Sequence, residues 1–412
     1  MAANAFKRLI VGSFLLKLVA AGLGLAVYAY LARLLPVFEF GLFALCMSVA
    51  MLLAGIIKQG VENLIIRFCS EVARENLACL YGACLLLIFA VGALVVAIVF
   101  ALAQPLSVWL NTPDIAALLP FVGLYALFNG MQAVNAALLN ALHKPKVSLL
   151  FSGVLSQFIF LTALVVVSPS SPYFAFTMLL CCQGLSLVAS FVVAFSFCPP
   201  TLRGVLQLPL GRLGVANAHY FIISLLMLIT QQISPIVVAK YASLEEVAYL
   251  AIAIKVTAFF AYPLMAVNKV CGPHYSRLYF KSDTNGLANL AKVTRRQLTL
   301  IASVGLVCVF LLVEPLLQLL DGGYVAAANY IKILALGQWV NLATGSAVLI
   351  LLMTGHERVH LYQNLAVTCL YFCVLLILVP YFGAIAAASL MAGAMAVKNL
   401  LSLYSVNKTI LR

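Results

Sequence analysis

Two lysines lie inside long apolar stretches, where an ammonium group needs polar surroundings. Lys17 falls in the run 9–31, roughly 12 Å along a helix from its start. Lys255 lies roughly 13 Å beyond Glu246 in a later run. A cation at such a depth in a membrane costs at least ~2.5–3.5 kcal/mol. Two such cations without a deep acidic residue favour an anionic ligand, although Lys17 could instead extend towards the headgroups.

Other polar residues extend this candidate site. Lys58 and Arg67 would continue a cationic path towards the cytoplasm, although Glu62 could pair with one of them. Asn135 and Gln231 could form hydrogen bonds with sugar hydroxyls along a wet groove, or they could bond to neighbouring helices. We therefore treat these four residues as candidate substrate contacts and leave the interhelical alternative open.

The sequence contains no pattern that would support catalysis. It has no Gly-rich phosphate loop, no paired metal ligands and no nucleophile elbow. Its 11 cysteines are scattered, mostly inside apolar runs, without the paired spacing of a zinc site. We therefore expect neither an enzyme nor a bound metal, disulfide or cofactor.

Composition places these residues in a membrane protein. Of 412 residues, 65% are hydrophobic and 8% are charged, a balance unlike that of any soluble domain of this size. Each apolar run is long enough to cross a hydrocarbon core of about 30 Å as a helix. The runs predicted to span the membrane are 9–31, 40–64, 78–103, 115–140, 147–167, 173–197, 219–239, 247–268, 298–319, 331–354, 361–380 and 383–405. We therefore predict an all-α membrane protein with about 12 transmembrane helices.

The net charge of +13 could indicate nucleic-acid binding, but its distribution indicates membrane topology instead. With the N-terminus inside, most of the 24 lysines and arginines fall on the inner side. This predicts cytoplasmic termini and no nucleic-acid partner. The basic stretch Gly286–Gln297 could be an amphipathic helix on anionic headgroups or a solvated loop.

The chain also repeats itself. Residues 31–49 align without a gap with residues 238–256, so Arg33 and Glu39 meet Lys240 and Glu246. With six spans in each half, both halves have the same orientation, as parallel repeats do. We predict an N-terminal six-helix lobe, an interlobe cytoplasmic linker and a C-terminal six-helix lobe. Their predicted ranges are 1–198, 199–218 and 219–412.

In its motifs and its predicted spans the chain resembles the polysaccharide or O-antigen flippases of the multidrug/oligosaccharidyl-lipid/polysaccharide exporter superfamily. The likeness covers nearly the whole length, and it depends on the order of several loose motifs. These are LARLLPVFEFGLFAL at 31–45, GVENLIIRFCSE at 60–71, EEVAYLAIAIKVTAFFAYPL at 245–264, SRLYFKSD at 276–283 and LLQLLDGGYVAAANYIKILALG at 316–337.

The resemblance implies alternating access by two six-helix bundles in a bacterial inner membrane. It implies as substrate an undecaprenyl-pyrophosphate-linked oligosaccharide, the repeat unit of an O-antigen of lipopolysaccharide or of another surface polysaccharide. Membrane lipids, a polysaccharide polymerase and a chain-length regulator are further candidate partners. The main rival is a multidrug cation antiporter of the same superfamily. A non-transporting scaffold and a membrane polymerase are further alternatives, and the absence of a large external loop disfavours the polymerase.

Overall fold

A computed structural model describes residues 2–58, 60–61, 65, 74–201, 210–319 and 323–410. Every regular element in these ranges is a helix, as expected where membrane-buried backbone groups must pair within their own segment. The chain divides into two compact units: unit 1, Met1–Gln232, and unit 2, Ile233–Arg412. The predicted lobe and linker boundaries stay a prediction, because this division falls inside a helix that begins at Leu210.

Unit 1 contains the helices of the first half of the chain and most of α9. These are α1 (Ala2–Leu34), α2 (Val37–Lys58), α3 (Arg74–Ala101), α4 (Ala103–Leu110), α5 (Ile115–Ala141), α6 (Pro145–Leu149), α7 (Leu155–Val167), α8 (Pro172–Phe197) and α9 (Leu210–Tyr241). A π-helical turn, Leu150–Val154, joins α6 to α7. Proline at the first position of α6 and α8 suits a helix start, where its missing N–H costs nothing.

The central helix of unit 1 is α5, which packs against α2, α3 and α8. Small residues allow this close packing, since a Cβ added at Gly130 would lie 2.7 Å from the side chain of Ile57. Ile57, Tyr81 and Leu138 belong to the buried core around this helix. Polar side chains of α5 that point into this core must therefore find partners inside it.

Unit 2 contains the end of α9 and the remaining helices. These are α10 (Leu244–Thr257), α11 (Ala261–Phe280), α12 (Thr284–Gln318), α13 (Ala327–Ala343), α14 (Ala347–Met353) and α15 (Glu357–Thr409). A 3-10 turn, Ala258–Phe260, separates α10 from α11. The central helix is α13, which packs against α10, α12 and α15, so unit 2 repeats the arrangement of unit 1.

Two glycines with positive φ set the bends of unit 2. Gly345 (φ 69°) lies between α13 and α14, which are bent by 45°. Gly383 (φ 60°) lies within α15 and divides it into two parts. Residues with a Cβ adopt this backbone conformation with difficulty. The eleventh and twelfth predicted spans are therefore the two parts of α15.

The predicted fold class is confirmed. Nine stretches of the described chain are long and apolar enough to cross a membrane, and α13 with α14 forms a tenth. With α15 as two spans and α9 added, the helices match the predicted spans in order. The repeated segments each contain a short connection between two helices, which we call the elbow. The first elbow lies between Leu34, which ends α1, and Val37, which begins α2, and the second lies between Tyr241, which ends α9, and Leu244, which begins α10. The chain is an all-α membrane protein with about twelve spans in two six-helix bundles related by an internal repeat.

Candidate functional site

The predicted site residues are divided between the two units. Those of unit 1 are Lys17, Lys58, Asn135 and Gln231. Lys255 belongs to unit 2. Arg67 lies outside the described residues, as does its alternative partner Glu62. The six candidates therefore do not form one cluster within a single unit, and each is considered in its own surroundings.

The two lysines of unit 1 have different surroundings. Lys17 is exposed on α1, beside a buried stripe that includes Ser13 and Tyr28. An exposed ammonium in a spanning helix requires water, headgroups or a ligand around it. Lys58 is half-buried at the end of α2 and has an interaction partner. A cation is favoured there because the last carbonyl groups of a helix carry partial negative charge.

Gln231 is exposed on α9, three residues beyond a close contact with α2. At that contact Leu228 packs on Gly55, so that a Cβ added to the glycine would overlap the leucine side chain. The contact keeps this part of α9 on α2 and leaves the amide of Gln231 at the surface of unit 1. Its position is compatible with the predicted substrate contact, which stays a prediction.

Asn135 is fully buried and hydrogen-bonded at both ends of its amide. The Tyr81 hydroxyl donates to Asn135 Oδ1 at 2.6 Å, and Asn135 Nδ2 donates to Ser190 Oγ at 2.8 Å. One turn away, Gln132 Nε2 donates to Ser186 Oγ at 2.9 Å and to the carbonyl of Phe151. Gln183 in turn donates to Gln132 Oε1. These bonds join α3, α5 and α8, which is the interhelical alternative for Asn135.

The same four-residue pattern recurs on the central helix of unit 2, a repeat that our sequence analysis missed. Gln132-Ala-Val-Asn135 of α5 corresponds to Gln338-Trp-Val-Asn341 of α13. Here both amides are half-buried. Asn341 Nδ2 donates to Gln338 Oε1 at 3.1 Å, and neither side chain bonds to any other described residue. An internal alignment extended to the central helices would have found this pair.

The partners of the pattern are absent from unit 2. In unit 1 they lie 51, 54 and 55 residues after their Gln or Asn partner. The same separations lead in unit 2 to Ser389, Ala392 and Ala396. The helices support this register, since a Cβ added at Gly337 would lie 2.7 Å from the Cα of Ala392. Two hydroxyl partners are thus replaced by alanine, and the amides of Gln338 and Asn341 keep unused hydrogen-bonding capacity.

Lys255 lies on α10, which packs against the helix that carries this pair. It is in the last turn of α10, is half-buried and has an interaction partner. Tyr249 of α10 stacks on Tyr330 of α13, with ring centroids 6.2 Å apart. Counting along both helices from this contact places Lys255 and Gln338 within roughly one to two helical turns of the same depth. Because of this shared depth on packed helices, we call Lys255, Gln338 and Asn341 the unit 2 polar cluster.

The chemistry of this cluster is binding chemistry. A lysine ammonium offers a compact positive charge to an anion, and the two amides offer both donors and acceptors to hydroxyl groups. Among the described residues, no group of three or more His, Cys, Asp or Glu side chains could hold a metal ion. The cluster therefore has the groups to bind a ligand that carries both negative charge and hydroxyls.

Solved structures share this fold over nearly the whole chain. The lipid II flippase MurJ in an inward closed conformation superposes with a TM-score of 0.77 at 15% identity, covering 95% of this chain and 87% of that one. An inward-facing multidrug resistance MATE family transporter of the MOP superfamily gives 0.72 at 14%, covering 94% and 95%. A MOP superfamily transporter from Pyrococcus furiosus, described as having a binding pocket of reverse polarity, gives 0.67 at 13%, covering 98% and 95%. The fold is that of MOP superfamily transporters.

Sequence comparison assigns the chain to a protein family. No curated protein matches the chain. The profile of the family described as "Polysaccharide biosynthesis protein" matches residues 30–324. The chain belongs to this family of polysaccharide biosynthesis proteins, and it has the fold that the predicted resemblance to polysaccharide flippases implies.

Proposed function

We propose that this transporter flips an undecaprenyl-pyrophosphate-linked oligosaccharide, the repeat unit of an O-antigen or another surface polysaccharide, by alternating access. The observation that carries the proposal is the unit 2 polar cluster. Its ammonium matches a pyrophosphate and its available amides match sugar hydroxyls. Family membership in polysaccharide biosynthesis and the fold of a lipid flippase support this substrate class.

The proposed setting is a bacterial inner membrane with both termini in the cytoplasm. It rests on the excess of lysine and arginine at one side of the predicted spans. In this orientation the substrate enters from the cytoplasmic leaflet and leaves to the outer leaflet. The protein would move its substrate without changing it chemically, as a transporter and not an enzyme, and would supply a polysaccharide polymerase acting with a chain-length regulator.

Each candidate residue has a role in this proposal. Lys255 binds the pyrophosphate, and Lys17, exposed on α1, is the candidate cation of unit 1. Lys58 and Arg67 would guide the anion from the cytoplasmic side. Gln231 would contact sugars. Asn135 instead holds unit 1 together, because both ends of its amide are already bonded.

The membrane potential offers an energy source for outward movement of an anion. An inside-negative potential favours that movement by ~2.3 kcal/mol per charge per 100 mV if the charge crosses the full field. We expect transport in proteoliposomes to speed up when such a potential is imposed and to slow when it is collapsed. A transport rate that does not change with the imposed potential would exclude this coupling, but it would not contradict the proposed substrate.

Complementation tests the proposal directly. In a flippase-deficient strain with the matching glycan, wild type should restore surface polysaccharide, and Lys255→Ala should fail at normal membrane abundance. Lys332→Ala is the matched control, since Lys332 forms an ion pair with Glu314 at 2.6 Å and removal of a partly exposed pair costs little. Failure of wild type together with resistance to cationic drugs would favour the multidrug antiporter, whose fold the chain also shares.

A further inference from the structure

A small pocket lies in unit 2 at the end of the bundle where α12 begins and α15 ends. Its volume is about 200 Å³. Its walls are the first turns of α12, the turn into α14 and the last turns of α15, and the lining residues are Ala288, Ala291, Lys292, Arg295, Thr344, Ser346, Ala347, Ile350, Leu403, Val406 and Asn407. Sites for drug-sized ligands occupy roughly 300–1,000 Å³, so this pocket fits one small group rather than an oligosaccharide.

The basic wall is the predicted amphipathic segment Gly286–Gln297. The segment is helical, but it forms the beginning of α12 and not a separate helix on the headgroups. Leu287 is buried, whereas Val293 is 46% exposed. The segment therefore packs Leu287 inwards and leaves Val293 at the surface.

The charge of the pocket is positive. Lys292 and Arg295 both line it, one helical turn apart along α12, and the lining, which is described throughout, contains no carboxylate. Arg295 is half-buried, so its charge is partly removed from water. A guanidinium presents a planar fork of donors that matches the oxygens of a phosphate group.

A hydroxyl-bearing residue also lines the pocket. Ser346 is 4% exposed. Its hydroxyl lies beside the buried hydroxyl of Tyr275, which pairs with Thr294 Oγ1 at 2.8 Å. A serine hydroxyl can donate to a phosphate oxygen, so Ser346 adds a neutral donor to the two basic side chains.

Backbone geometry brings these groups together. Gly345 has a φ of 69°, and a Cβ added there would lie 3.1 Å from Cβ of Arg295. Glycine therefore lets the turn between α13 and α14 lie directly against α12. The turn that carries Ser346 and the helix that carries Lys292 and Arg295 therefore both line the pocket.

From these features we infer that the pocket binds a phosphate group, held by Arg295, Lys292 and Ser346. Two sources share this chemistry: the headgroup of an anionic phospholipid and free inorganic phosphate. The orientation in the proposed function places the pocket at the cytoplasmic surface of the membrane, within reach of both. The pocket itself does not depend on the identity of the transported substrate.

Binding is measured on the purified full-length protein by native mass spectrometry and by thermal shift. The probes are phosphatidylglycerol, phosphatidylcholine and inorganic phosphate, with sodium chloride at matched ionic strength. We expect saturable binding that Arg295→Gln weakens by about tenfold or more, the scale of a lost charge-assisted hydrogen bond. Arg296→Gln is the matched control, because Arg296 is adjacent and exposed and does not line the pocket.

Ser346→Ala provides a second, independent readout. It should weaken binding of the probe and reduce the rise in melting temperature that the probe produces, because it removes a donor to the phosphate group. A purely structural serine would change the melting temperature of the ligand-free protein without weakening binding. Binding of phosphatidylglycerol with no effect of phosphate assigns the site to a lipid headgroup, and competition by phosphate shows that the phosphate group suffices.

Three results would overturn the inference: no saturable binding of either anionic probe, equal weakening by Arg295→Gln and Arg296→Gln, or equal binding of phosphatidylglycerol and phosphatidylcholine without phosphate binding. None of them depends on flipping, so the transport proposal is tested separately by complementation. Conversely, phosphate binding in a protein that fails to restore polysaccharide would leave this site standing.

Discussion

The two units contain the same Gln-x-Val-Asn pattern on their central helices, but they use it differently. In unit 1 the amides of Gln132 and Asn135 are buried and bonded to neighbouring helices. In unit 2 the amides of Gln338 and Asn341 are half-buried and bond only to each other among the described residues. The central helix thus carries the same pattern in both units, while the helix packed against it has alanine in unit 2 at the two positions that correspond to Ser186 and Ser190. A polar residue in a membrane span therefore holds helices together when neighbouring helices supply hydrogen-bond partners. It can bind a ligand when they do not.

A second contrast lies at the repeated elbow. Glu246 in the first turn of α10 accepts a hydrogen bond from the backbone N–H of Ala384, beside the bend at Gly383. Its counterpart Glu39 in the first turn of α2 has a buried Oε2 without a partner in the described chain. The same position in the repeat therefore fixes a bend of α15 in unit 2 and makes no such bond in unit 1.

The largest expected effect comes from exchanging the two asparagines for leucine, which is similar in volume. Asn135→Leu should lower the free energy of unfolding by roughly 1–3 kcal/mol, because it leaves the buried Tyr81 hydroxyl without a partner and removes the bond to Ser190. Asn341→Leu should cost less than about 0.6 kcal/mol but abolish transport. Unfolding in detergent and complementation measure the two quantities. Equal destabilisation by both changes would remove the distinction between the units.

A smaller difference is expected at the elbows. Glu246→Ala should destabilise the protein by roughly 1–2 kcal/mol, because a carboxylate that accepts from a backbone N–H is lost at a bend. Glu39→Ala should change stability by less than about 0.5 kcal/mol, since loss of a favourable charge at a helix start offsets removal of an unpaired oxygen. The pair is compared by unfolding under identical conditions. A larger loss for Glu39→Ala would reverse the assignment.

The architecture was predictable because membrane spans obey a strong rule. Apolar runs of about 20 residues must form helices, and the elbows at Glu39 and Glu246 revealed the repeat. The bend at Gly383 was predicted only as a boundary between spans. Its cause, a positive φ beside a bonded glutamate, depends on a contact 138 residues apart in the chain.

The roles of the polar residues were less predictable. Asn135 and Asn341 share the local pattern Gln-x-Val-Asn, and contacts made 54 or 55 residues away in the chain distinguish them. The two lysines were found from sequence because charge inside an apolar run is conspicuous. Whether a neutral amide is already bonded depends on helix packing, which apolar periodicity does not specify.

The smallest expected effect comes from restoring one missing hydroxyl. Ala396 occupies the position that corresponds to Ser190, so Ala396→Ser should give Asn341 the partner that Asn135 has. We expect a stabilisation of roughly 0.5–1 kcal/mol and slower transport, because an amide engaged by the protein is less available to substrate. Gly393→Ser, which adds a hydroxyl where a Cβ would meet no atom within 4 Å, controls for the added group. Stabilisation with unchanged transport would show that Asn341 does not contact the substrate, and the functional difference between the units would then rest on Lys255.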